Sequence, residues 1–225
     1  MKIRILRRAS PVSPEYWEAF DYTGTRDISV AGLLDRLNYA DDIVNDAGEK
    51  TTRIAWYSSC MQGMCGACAM VINGTPALAC ETFLKDLGDA DIELRPLKKF
   101  PVIRDLLVDR SSIHENLKRN NIYIGEFQPQ KDGKHDLQYD IAKCLKCGLC
   151  LEVCPNYTSG STFYGALFAN DCYLVSSRNG AKAGEIRRLY DEHFASACSK
   201  SLSCMTVCPM NIPTVAAMAN MNRRR

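Results

Sequence analysis

The 225-residue sequence has no long apolar run. Two stretches without a formal charge, 153–170 and 201–222, are rich in Ser, Thr and Asn, and each is broken by proline. Neither has the unbroken apolar length that a membrane-spanning helix needs. Charge of one sign is also lacking: 28 Lys+Arg against 26 Asp+Glu leave a net charge of +2, so no nucleic-acid surface is expected. Arg7-Arg8 is followed by no apolar segment and makes a poor export signal, which leaves the cytoplasm as the expected location. Histidine and tryptophan are scarce, with three and two residues. No paired carboxylates and no nucleophile–base pattern stand out, so this chain is not expected to make or break bonds with its own side chains.

Cysteine is abundant instead, at twelve residues. That is too many for casual core thiols and too few for a small disulfide scaffold, and without an export signal the count reads as metal ligands. Four cysteines precede residue 100 and eight follow it, which suggests two domains.

In the first part, Ile3-Arg4-Ile5-Leu6 alternates like a strand, and Trp17–Tyr22 supplies a partner. Ser29 offers an N-cap to a helix carrying Val30, Leu33, Leu34 and Leu37 on one stripe. Asn73-Gly74 between Ala69–Ile72 and Pro76–Ala79 is a hairpin signal, because both residues tolerate positive φ. Ile92-Glu93-Leu94 closes a small sheet crossed by one helix. Within it, Cys60-x4-Cys65-x2-Cys68 with Cys80 further on is the plant-type [2Fe–2S] spacing. Gly63 and Gly66 let the loop wrap tightly and bring backbone N–H groups to the sulfurs. A structural zinc would accept the same four thiolates, but this is not its usual spacing.

After residue 100, Pro101 is expected to open a helix with Ile103, Leu106, Leu107, Ile113 and Leu117 inward, followed by an extended connection over 121–139. Further helices are expected at about 162–177, 184–197 and 212–221. On the second of these, Ile186, Leu189, Tyr190, His193, Phe194 and Ala197 share a face. His193 reads as a packed ring satisfied by a backbone carbonyl rather than a proton relay. Cys144-x2-Cys147-x2-Cys150-x3-Cys154-Pro155 is the bacterial ferredoxin run, whose fourth cysteine serves the other cluster in two-cluster ferredoxins. Cys198-x2-Ser201-x2-Cys204-x3-Cys208-Pro209 repeats that spacing with Ser201 in place of the second cysteine. Crossed ligation then gives a [4Fe–4S] cluster to Cys144, Cys147, Cys150 and Cys208. It leaves Cys154, Cys198 and Cys204, three thiolates that suit a [3Fe–4S] centre. The alternative makes Cys172 or Ser201 a fourth ligand, but Cys172 lies inside an expected helix and reads as a buried free thiol.

Taken in order, these motifs resemble the iron–sulfur subunit of the succinate dehydrogenase/fumarate reductase family. The likeness is carried by Leu37-Asn38-Tyr39, by Ser59-Cys60 through Cys68-Ala69-Met70, by Ile72-Asn73-Gly74 and Leu78-Ala79-Cys80, by Phe100-Pro101-Val102-Ile103-Arg104-Asp105-Leu106, and by both cysteine runs. The resemblance implies an α+β chain: a β-grasp [2Fe–2S] ferredoxin domain over residues 1–100, then an all-α bacterial-type ferredoxin domain over 101–225. It implies an electron-transfer subunit without catalytic side chains of its own. Its partners would be an FAD-containing flavoprotein, where succinate and fumarate interconvert, and membrane-anchor subunits sharing a quinone site near the [3Fe–4S] cluster. The chain would then lie at the inner face of the membrane as a peripheral subunit.

The family often places Trp soon after the first Cys-Pro and His near the residue matching Cys198. This chain has Asn156-Tyr157-Thr158 and Ser199-Lys200-Ser201 there; Tyr157, Ser199 and Lys200 are available as substitute hydrogen-bonding groups but read first as ordinary loop residues. That departure leaves room for a related flavoprotein reductase with another substrate or a soluble electron partner. A zinc-stabilised interaction module is the reading from a different class.

Overall fold

Alternation of apolar and polar residues makes Lys2–Arg7 a strand, β1, with Ile3 and Ile5 fully buried. It pairs antiparallel with β2, Tyr16–Asp21, and parallel with β5, Ile92–Arg95. β3, Ala69–Ile72, and β4, Thr75–Leu78, form the hairpin around Asn73-Gly74, whose two φ angles are both positive (47° and 81°), as that tight turn demands. β3 also pairs with β5, giving the five-stranded order β2-β1-β5-β3-β4.

Helix α1, Val30–Asn38, covers this sheet; Ser29 caps it, its Oγ accepting from the Gly32 N–H at 3.1 Å. Val30, Leu33 and Leu34 of α1, with Ile3, Ile5, Phe20, Ile92 and Leu94, form the core. Each such side chain contributes about 1.5–3 kcal/mol on burial.

Arg7 occupies the third inward position of β1 and is 1% exposed. The charge is met on all sides: Nη1 donates to Glu18 at 2.5 Å, Nε pairs with Asp105 at 2.9 Å, and Nη2 donates to Thr52 Oγ1 and O. Asp105 also accepts from the backbone N–H groups of Arg8 (3.1 Å) and Ala55 (2.9 Å).

This demand overturns the helix expected from Pro101. Asp105, at φ +45°, instead turns a hairpin of β6, Val102–Arg104, and β7, Leu107–Val108, and helix α2 runs only over Ser111–Arg119. The apolar spacing of Ile103, Leu106 and Leu107 fitted a helix by coincidence; Leu106 is buried but Ile103 is 38% exposed.

The computed structural model describes residues 1–88, 90–125 and 135–223. The chain divides into two compact units, Met1–Asp109 and Arg110–Arg225. Among the described residues the second unit is built of helices alone: α2, then α3 (His135–Ala142), α4 (Leu149–Glu152), α5 (Gly165–Arg178), α6 (Ala183–Tyr190), α7 (Ser203–Thr206) and α8 (Thr214–Asn222). The expected connection over 121–139 is therefore helical from His135 onward; residues 126–134 lie outside the described ones. α5 is the central element and packs against α3, α4, α6 and α8.

Beyond α6 the chain widens into a π turn over Asp191–Ala195. That extra residue per turn breaks the 3.6-residue stripe, so His193 and Phe194 are buried while Ala197 is exposed. His193 Nδ1 lies 2.9 Å from Thr162 O and the ring stacks on Tyr164, the packed role expected for it. No helix among the described residues is long and apolar enough to cross a membrane.

Candidate metal-cluster sites

In the first unit the loop after residue 58 brings Cys60, Cys65 and Cys68 around toward Cys80, which follows β4 on the returning arm of the hairpin. Cys68 Sγ and Cys80 Sγ are 3.4 Å apart. Backbone amides face the sulfurs: Gln62 N and Met64 N lie 3.4 and 3.3 Å from Cys60 Sγ, Gly63 N 3.2 Å from Cys80 Sγ, and Ala67 N 3.4 Å from Cys65 Sγ. Glycine suits position 63: its φ is +68°, which other residues rarely adopt, and the exposed Glu81 side chain would have to move aside for a Cβ 2.7 Å from its Cδ.

The electrostatics follow from these contacts. Burial opposes ionisation of Cys65, but N–H groups of Cys60 and Ala67, aided by the Cys60 and Ser59 side chains, bring its thiol down to about 7. Burial and the neighbouring Cys68 push Cys80 up to about 12, against the Gly63 N–H. Amides aimed at sulfur stabilise thiolate and, with iron present, the reduced cluster. Four thiols wrapped by N–H donors are a donor set suited to a two-iron cluster.

Among the described residues, two cavities of the second unit are lined by cysteines. One, of about 440 Å³ including the solvent at its mouth, is lined by Cys144, Cys147, Cys150, Cys204 and Cys208. The other, of about 360 Å³ counted the same way, is lined by Cys154, Cys198, Cys204 and Ser201. The fourth cysteine of each run therefore lines the cavity of the other run. Short helices α4 and α7 set this geometry, each starting from a left-handed residue (Gly148 at φ +85°, Leu202 at φ +60°) that swings the next cysteine back toward its cavity.

Burial raises the thiols of Cys144, Cys204 and Cys150, and Cys147 rises to about 11. Cys150 is raised further by its neighbours Cys147, Cys144, Cys204 and Cys208. So many sulfurs so close together favour thiolate only beside a strongly cationic group. Soft thiolate donors in cavities of this size fit an iron–sulfur cluster. Among the described residues, no three His, Cys, Asp or Glu groups converge as they would around a single metal ion.

Cys172 is fully buried on α5, its thiol raised by burial and by Asp171, and it lines neither cavity. Of the three substitute polar groups, Ser199 and Lys200 line the second cavity, where Ser199 Oγ donates to Asn156 Oδ1 at 2.6 Å. Tyr157 does not. It is buried among Ile113, Leu151, Tyr164 and Phe168, because the turn after Pro155 points it inward.

Sequence reasoning passed over Arg110, whose Nη1 donates to Cys147 O at 2.8 Å, and the Asn170–Thr214 hydrogen bond at the wall of the first cavity. Neither is signalled by spacing.

Comparison with known proteins is consistent across the chain. The family profile of the 2Fe-2S iron-sulfur cluster binding domain matches residues 2–115, and that of the 4Fe-4S dicluster domain matches residues 140–212. The succinate dehydrogenase iron-sulfur subunit of Bacillus subtilis is 36% identical, covering 97% of this chain and 90% of that protein. The fumarate reductase iron-sulfur subunit of Mycobacterium tuberculosis is 31% identical, covering 97% and 91%. Among solved structures, a chain of the Mycobacterium smegmatis Sdh1 complex in the apo form has a TM-score of 0.74 at 24% identity, covering 98% of this chain and 94% of that one, a likeness of fold.

Proposed function

The chain belongs to the iron–sulfur subunits of the succinate dehydrogenase/fumarate reductase family, and from that premise we propose that it relays single electrons between an FAD-containing flavoprotein subunit and a quinone. The clusters, when bound, supply one-electron redox chemistry; the chain supplies ligands, N–H donors and the polypeptide that spaces them. Cys60, Cys65, Cys68 and Cys80 would hold [2Fe–2S]. Cys144, Cys147, Cys150 and Cys208 would hold [4Fe–4S], and Cys154, Cys198 and Cys204 would hold [3Fe–4S].

One observation carries the reading: Cys208 shares a cavity with Cys144, Cys147 and Cys150, while Cys154 shares the other with Cys198 and Cys204. Ser201 stands at the wall of the second cavity where a fourth thiolate would be. Three thiolates suit a centre with one iron fewer, and less donated charge makes that centre the easier one to reduce. It is therefore the station next to the quinone and the membrane anchor, with the chain as a peripheral subunit at the inner face of the membrane.

Ser199, Lys200 and Asn156 at that second cavity favour one specific variation, a terminal electron partner other than the usual quinone pocket, because the family's Trp and His are replaced there.

Iron and acid-labile sulfide analysis of anaerobically purified protein tests the cluster content; about nine irons per chain are expected. Turnover of the purified complex with succinate, fumarate and a quinol tests the relay. A colourless, zinc-containing protein would end the electron-carrier reading, and a loaded complex inactive with all three substrates would remove the quinone-linked assignment.

A further inference from the structure

Lys146 sits between two cysteines of the first run, in a left-handed turn (φ +55°) whose backbone N–H is bonded to the Cys144 thiol. Its side chain is largely buried. Nζ lies 2.5 and 2.6 Å from the two carboxylate oxygens of Asp171 on α5, with the side chains only 21% and 11% exposed. Lys146 also lines the cavity of Cys144, Cys147, Cys150 and Cys208.

A buried pair of this kind contributes little to stability, because desolvation of both charges offsets their attraction. Its position beside a redox site gives it another consequence. A reduced cluster carries one more negative charge than an oxidised one, so a fixed cation nearby favours reduction and a fixed anion opposes it. Paired, the two charges largely cancel; separated, each would act alone on the cluster.

Resting on the cluster assignment above, we propose that the Lys146–Asp171 ion pair sets the reduction potential of the [4Fe–4S] centre, Asp171 holding the Lys146 charge in check. Both are tuning residues and neither touches the iron. An unopposed unit charge within about 10 Å at the effective protein dielectric changes an equilibrium by about tenfold. Asp171→Asn should therefore raise the reduced-to-oxidised ratio at a fixed poise by about tenfold, and Lys146→Gln should lower it by a similar factor. The double variant should return close to the wild-type value.

The test is an EPR-monitored redox titration of the four proteins, purified as the complex, at one pH. The order expected, from most to least easily reduced, is Asp171→Asn, then wild type with the double variant, then Lys146→Gln. If one single variant fails to load, the step from the other single variant to the double carries the same sign and still decides. A structural clip alone would move thermal stability and leave the potentials unordered. Loaded proteins with equal potentials, or with both single variants shifted the same way, overturn this inference and leave the cluster assignment standing. A wild-type protein without a four-iron signal overturns both.

Discussion

Truncating Asp105 is the most informative change in the first unit. The carboxylate is 2% exposed and holds Arg7 Nε at 2.9 Å together with the N–H groups of Arg8 and Ala55. Asp105→Ala leaves the buried Arg7 guanidinium with one carboxylate, Glu18, and the Thr52 oxygens, and strips two amides of their acceptor. Removing one partner of a buried charge pair costs about 3–5 kcal/mol, and alanine at φ +45° adds about 1 kcal/mol of backbone strain. The expected loss is about 4–6 kcal/mol, a large share of the roughly 5–15 kcal/mol a domain has.

Asp105→Asn keeps an acceptor and should lose about 1–3 kcal/mol; Asp105→Gly should be about 1 kcal/mol less damaging than alanine. Ala55 leads into the loop of Cys60, so the two-iron chromophore should bleach at the same urea concentration as the fold melts. Urea unfolding of anaerobic protein, followed by visible absorption and far-UV circular dichroism, reads both. A loss below about 1 kcal/mol for alanine, or equal losses for alanine and asparagine, would refute the charge-network reasoning.

Three other outcomes are expected. Ser201→Cys supplies the missing thiolate: the EPR signal of the oxidised three-iron centre should disappear, iron should rise by about one per chain, and that centre should become harder to reduce. Gly63→Ala forces a Cβ to within 2.7 Å of Glu81 and strains φ at +68°; reduced-state EPR should show the [2Fe–2S] signal lost or strongly diminished while the other centres persist. Burial on α1 raises the Asp35 carboxyl above its usual range, so the folded state holds its proton to higher pH and ionisation costs stability as pH rises through that range. Asp35→Asn should therefore be slightly more stable than wild type at pH 7 and lose that advantage in acid, as thermal melts at the two pH values would show.

The cysteine motifs were legible because their spacing is local, and the fold sets Cys208 in the cavity of the first run and Cys154 in that of the second, as the duplicated run led one to expect. The strands, α1 and its Ser29 cap were legible for a similar reason: period and capping act within a few residues. Two failures have a common physical origin. The hairpin at 102–108 exists because Arg7, nearly a hundred residues earlier, needs Asp105, and no local period records such a need. Tyr157 turns inward for the sake of packing against α2, α4 and α5, which its neighbours in sequence do not reveal. Arg7 itself is instructive: weighed in the sequence only as part of an export signal, it is the third inward residue of β1 once the strand's alternation is extended one step further.

The crossing of the two cysteine runs is tested most directly by EPR of the complex carrying Cys208→Ser. The expected spectrum lacks the reduced four-iron signal, or shows it much weakened, and keeps the oxidised three-iron signal at full intensity. A protein that keeps the four-iron signal and loses the three-iron one would mean that each run holds its own cluster.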